Sequence, residues 1–125
     1  MHLTHERPDY AFTLRGADGR SAKVNELTLT RSFILAPNDL VEDWDAGNTL
    51  DIPPRALAPI LAMNPELVLL GTGERQRFPS AATLAECLTR GIGIEVMSNA
   101  SAARTFNVLA SEGRRVVAGF VLANS

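Results

Sequence analysis

The sequence predicts an α/β fold: one three-layer domain with a mixed central β-sheet, a parallel β-α-β-α-β C-terminal part and an N-terminal β-meander. Three observations carry this expectation. The first third alternates apolar and polar residues at the period of half-buried strands. From residue 66 onward, continuous apolar runs alternate with segments of helical period, the pattern of parallel strands joined by right-handed crossovers. A chain of 125 residues is also the size of a single domain, so residues 1–125 are expected to fold as one unit, with 1–9 a flexible N-terminus.

The elements follow in order. Tyr10, Phe12 and Leu14 alternate with Ala11, Thr13 and Arg15, which predicts a strand. Gly16, Ala17, Asp18 and Gly19 then supply a turn, and Ser21 to Val24 return as the second arm of a hairpin. Phe33, Ile34 and Leu35, stopped by Pro37, form a third strand. Leu40, Val41 and Trp44 suggest a fourth, placed at an edge because acids crowd around it. Between Ile52 and Met63, Leu57, Ile60 and Leu61 share a helical face, but Pro59 removes a backbone donor and predicts a short or kinked helix.

Leu67, Val68, Leu69 and Leu70 read as a strand buried on both faces. Ser80 caps a helix whose Leu84, Cys87 and Leu88 share a face and which ends at Gly91. Ile92, Ile94 and Val96 mark the next strand. Ser98 or Asn99 caps a last helix with Ala102, Ala103, Phe106, Leu109 and Ala110 at core spacing and Gly113 as its stop. Val116 to Leu122 closes the sheet.

Composition narrows the function. A net charge of -2 disfavours nucleic acid, which selects a dense basic surface. The longest apolar run, Val116 to Ala123, falls far short of the roughly 20 residues that cross a bilayer, so no membrane insertion is expected. The polar, mixed-charge opening residues give no signal peptide, which makes the cytoplasm the expected compartment. Cys87 is the sole cysteine and sits on an apolar helix face, the place of a small core residue rather than a nucleophile. His2 and His5 lie near the terminus and suit neither metal nor base. No nucleophile elbow and no His-Glu-x-x-His pattern occurs, and no spacing joins Glu74 to Glu95. No catalytic residue, metal or cofactor is expected.

The segment with most chemical interest is Gly71, Thr72, Gly73, Glu74, Arg75, Gln76 and Arg77. It leaves the carboxyl end of a buried strand and leads to a helix, where open α/β sheets bind ligands. Glycines let backbone N–H groups approach an anion, and Arg75 and Arg77 can neutralise it. It is neither a P-loop nor a full dinucleotide fingerprint, and a tight turn with solvated arginines is the simpler account of it. On the last helix Ala100, Arg104, Asn107 and Ser111 form a polar stripe. Asn107 flanks the core face, where it either caps a neighbouring loop or meets a ligand; Arg114, near Glu112, joins the candidates. The candidate ligand or partner residues are therefore Gly71, Thr72, Gly73, Arg75, Arg77, Asn107 and Arg114.

Four ordered motifs resemble one family. They are Gly71-Thr72-Gly73; Gly91-Ile92-Gly93-Ile94-Glu95-Val96-Met97; Ala103-Arg104-Thr105-Phe106-Asn107-Val108-Leu109; and Glu112-Gly113-Arg114-Arg115-Val116. Ser32-Phe33-Ile34-Leu35 and Val41-Glu42-Asp43-Trp44 extend the resemblance toward the N-terminus. The chain is similar to the small domain-of-unknown-function family that includes mitochondrial complex I assembly factor 3, the adipogenesis-associated domain protein and uncharacterised bacterial members. That resemblance implies a three-layer mixed α/β fold and no established catalytic residues. Phe106 stands where tyrosine is usual, which removes a hydroxyl.

The leading expectation is a non-enzymatic binding or assembly module with another protein as partner, monomeric or weakly homodimeric. The alternative is a small-molecule or anion-binding domain, an enzyme included, centred on residues 71–77 with Asn107 and Arg114 nearby.

Overall fold

The computed structural model describes residues 11–47 and 51–123. The expectations for residues 1–9, for His2 and His5 and for Tyr10 lie outside them. Two sheets form. β1 (Leu14–Ala17), β2 (Ala22–Val24) and β3 (Leu27–Leu29) make a three-stranded antiparallel meander. The central sheet has five strands in the order β5 (Asp39–Val41), β4 (Phe33–Ala36), β8 (Val116–Phe120), β6 (Leu67–Gly71) and β7 (Gly93–Met97). β8, β6 and β7 run parallel, while β4 runs antiparallel to both β8 and β5. The three-layer mixed α/β fold follows as the sequence predicts.

Two cores flank the central sheet. On one face, α3 (Asn99–Ser111) and the small sheet bring Leu14, Val24, Phe106 and Ala110 against Phe33, Leu69 and Phe120. Phe33 and Phe120, paired across β4 and β8, stack with ring centroids 4.9 Å apart. On the other face lie a 3-10 turn (Pro54–Leu57), the single-turn α1 (Ala58–Leu61) and α2 (Ala81–Leu88). Their Leu57, Ile60 and Cys87 pack on Val68, Leu70 and Val96. The prolines divide the 52–63 segment as expected, because each lacks the donor that a continuous helix needs. Ser80 and Ser98 cap α2 and α3 through the N–H groups of Thr83 and Ser101, and Gly91 and Gly113 follow these helices at positive φ.

Several boundaries differ from expectation. β1 begins at Leu14 and runs through Gly16 and Ala17, absorbing them by a register shift. The turn is instead built on Asp18, whose Oδ1 accepts from the N–H groups of Arg20 and Ser21 at 2.8 Å each. β3 is a strand that the pattern does not show, and the Phe33 strand belongs to the central sheet rather than to the meander. Trp44 lies beyond β5. Its indole N–H donates to the Ala56 carbonyl at 2.9 Å, and its ring lies where a Cβ on Gly119 would come within 2.6 Å. Leu88, expected in the core, is 59% exposed, because the buried stripe of α2 runs through Thr83 and Cys87 and Leu88 falls 100° away from it.

Candidate functional site

Because β6 and β7 are parallel neighbours, their carboxyl ends place the loop after Gly71 beside the start of α3. The join is made by Asn99, which is fully buried. Its backbone N–H donates to the Gly73 carbonyl at 2.8 Å, and its Oδ1 accepts from the Gly73 N–H at 3.1 Å. Its Nδ2 donates to the carbonyls of Asp18 (2.8 Å) and Val121 (3.0 Å). One side chain thus ties the β1–β2 turn, the β6 loop and the end of β8 together.

Thr72, also buried, organises the loop from within. Its hydroxyl lies 2.8 Å from the Arg75 carbonyl and 3.3 Å from that of Met97, and it accepts from the Arg77 N–H at 2.9 Å. Gly71 leaves room for Asn99, since a Cβ there would collide with Oδ1 and stand 3.0 Å from the Phe120 ring. Gly73 adopts φ +109°, a conformation that disfavours side chains. The glycines therefore serve close packing, and the Gly73 N–H is already spent on Asn99.

What remains outward is cationic. Gly19, Arg20, Thr72, Gly73, Glu74, Arg75, Arg77 and Ala123 line a shallow recess of about 310 Å³. Arg20, Arg75 and Arg77 are exposed, and none makes an ion pair with another described residue. The carboxylate of Glu74 is turned to the Gly19 N–H at 2.7 Å. Arg20 comes from a turn over 50 positions upstream, so sequence reading missed it; only the pairing of the two loops reveals it.

Asn107 and Arg114 do not belong to this recess. Asn107 grips β1, with Oδ1 accepting from the Leu14 N–H at 3.0 Å and Nδ2 donating to the Leu14 carbonyl at 2.6 Å. It lies eight residues along α3 from Asn99, about 12 Å at 1.5 Å per residue. Arg114 follows the far end of α3 and pairs with Glu66 at 3.4 Å. The Arg115 N–H, then the nearby Arg114, lower the Glu66 carboxyl below its ordinary value. With Met63, Ala110 and Val117, Arg114 lines a larger hollow of about 490 Å³ at the opposite end of the parallel strands. The expectation that Asn107 and Arg114 sit near residues 71–77 is corrected by the direction of α3. Cys87 is buried away from both hollows, and burial pushes its thiol up.

A three-layer α/β domain with this ordered set of motifs defines a class. The chain belongs to the family described as Protein of unknown function (DUF498/DUF598), whose model matches residues 14–121. It is 33% identical over 116 residues to the human NADH dehydrogenase [ubiquinone] 1 alpha subcomplex assembly factor 3, covering 91% of this chain and 62% of that protein. It is 32% identical over 90 residues to the 13 kDa major membrane protein of Francisella tularensis, covering 72% of this chain and 69% of that protein. Among solved structures, a Xanthomonas campestris protein studied by NMR matches with a TM-score of 0.80 and 57% identity, over 98% of this chain and 92% of the other. No helix among the described residues is long and apolar enough to cross a membrane.

Proposed function

We propose that this chain is a non-enzymatic binding module of the assembly-factor kind that receives an acidic surface of a protein partner at the loop of residues 71–77. The observation that carries the reading is the convergence of Arg20, Arg75 and Arg77, from two separate segments, on one recess where the one carboxylate among the described lining residues, that of Glu74, faces a backbone N–H. Exposed guanidinium groups on a loop braced from behind by Thr72 and Asn99, with no ion pair to another described residue, make an arrangement that recognises carboxylates bidentately. Phe78, 67% exposed, adds an apolar contact beside them. The assembly-factor name of the human relative supports a protein as the partner.

The test is the double substitution Arg75→Ala with Arg77→Ala. Both side chains are exposed, so stability should stay within about 0.5 kcal/mol of the parent. Binding to a partner purified on the tagged protein should weaken at least tenfold, and binding by the parent should fall as salt rises. A partner that holds the variant as tightly as the parent overturns the reading. The recess also fits a small oxyanion. If phosphate or sulfate alone shifts the amide resonances of Gly73 and Asn99 in the parent but not in the variant, the ligand is the anion rather than a protein.

A further inference from the structure

β7 is an edge strand among the described residues, paired with β6 on one side and with no described strand on the other. The Thr72 N–H donates to the Met97 carbonyl. Parallel ladders alternate, so Gly93, Glu95 and Met97 direct both backbone groups at β6, while Ile94 and Val96 direct theirs outward. One of these outward groups is already covered. The Val96 carbonyl accepts from Gln76 Nε2 at 2.8 Å, and Gln76 lies between Arg75 and Arg77. The side-chain amide therefore occupies a place that a strand's N–H would take, and it fixes the arginine loop against the C-terminal end of the open edge. The Ile94 N–H and carbonyl have no partner among the described residues.

We infer that this edge continues the docking surface, and that the partner adds an extended segment to β7 with its acidic end at Arg75 and Arg77. The inference rests on the proposed function for the identity of the site and specifies the form of the partner. An added strand places residues beside Ile94 and Val96 on the α2 face, where Leu84 and Ile92 are half-buried; these positions favour apolar side chains. Exposed Glu95 lies on the opposite face of β7 and disfavours an acid directly across from it. Charge complementarity therefore confines the acids to the end that reaches the arginines. A second copy of the chain fits less well, because antiparallel pairing of two β7 strands carries the arginine loop of one copy toward the Arg90 end of the other.

The experiment uses synthetic peptides of alternating valine and threonine, ending in two glutamates at either the N- or the C-terminus, with lysine-ended counterparts. One glutamate-ended peptide should shift the amide resonances of Ile94 and Val96 and slow their hydrogen exchange at least tenfold. The lysine-ended forms should do neither. Arg75→Glu with Arg77→Glu should cost at least tenfold in affinity, and Ile94→Pro, which deletes the outward donor of an edge residue, should abolish the exchange protection. Silent Ile94 and Val96 amides, or equal binding of lysine-ended peptides, overturn the inference. So does protection of these amides without peptide in a sample that sediments as a dimer, since the second copy is then the occupant. If the edge stays silent while partner binding still depends on Arg75 and Arg77, the loop reading stands and only the added strand falls.

Discussion

Asn99 commits its carboxamide to three backbone groups drawn from the β1–β2 turn, the β6 loop and the end of β8. Replacing it by alanine leaves the Gly73 N–H and the Val121 carbonyl buried without this partner and strips the part-buried Asp18 carbonyl of it as well. At about 1–3 kcal/mol for each such group, partly relieved by water, Asn99→Ala should lower stability by about 3 kcal/mol. The check is the denaturant midpoint, expected to fall with an unchanged slope. A loss below about 1 kcal/mol would show that the junction is not organised by this side chain. The sequence offered Asn99 as an alternative to Ser98 for capping a helix, and parallel pairing of the strands before them sets its loop beside residues 71–79. The cap is Ser98, and the partners of Asn99 lie 22, 26 and 81 positions away, beyond any local pattern. Asn107 is the converse case. Its place beside the core face of α3 was readable, and the structure spends it on the backbone of Leu14 rather than leaving it for a ligand.

At the scale of elements, continuous apolar runs marked β6 and β8, because strands covered on both faces have no polar side to break the pattern. Glycine and serine punctuation marked α2 and α3 for a related reason, since caps are local chemistry. β3 was hidden because only Leu29 of its three residues is buried and its turn uses Asn25 at φ +52° instead of glycine. The sheet membership of β4 was hidden too, because it depends on a pairing with β8 over 80 positions away. The order of protection follows from this architecture. β8 and β6 have strand neighbours on both sides, whereas β7 is open, so amides of Val117, Ala118 and Leu69 should exchange near the global rate and the outward amide of Ile94 far faster. Loop-like exchange across Val116–Phe120 would refute the placement of β8 at the sheet centre.

The whole molecule sets a three-stranded meander over one face of a five-stranded sheet, and the question at this scale is whether the two sheets unfold together. A small meander cannot stand alone in water, since its apolar face needs covering. Here Leu14, Ala22, Val24 and Leu29 are buried in the same core as Leu69, Phe106 and Phe120. Polar ties reinforce the union at one end, where the Ala123 N–H donates to the Gly19 carbonyl at 2.8 Å and the Gly19 N–H to Glu74 at 2.7 Å. Asn107 grips β1 from α3 midway along the helix. Trp44 reports independently, because it lies in the opposite core with Ile60 and Val117. If the layers are one cooperative unit, Trp44 fluorescence, far-UV circular dichroism and the amide signals of Lys23 and Thr28 in the small sheet should trace one coincident transition. Asn107→Ala should then shift all three midpoints equally, by about 1–3 kcal/mol for the two backbone groups of Leu14 it leaves unpaired. Should the Lys23 and Thr28 signals instead melt before Trp44, and Asn107→Ala advance theirs alone, the meander is a separately folding flap on an independent central sheet.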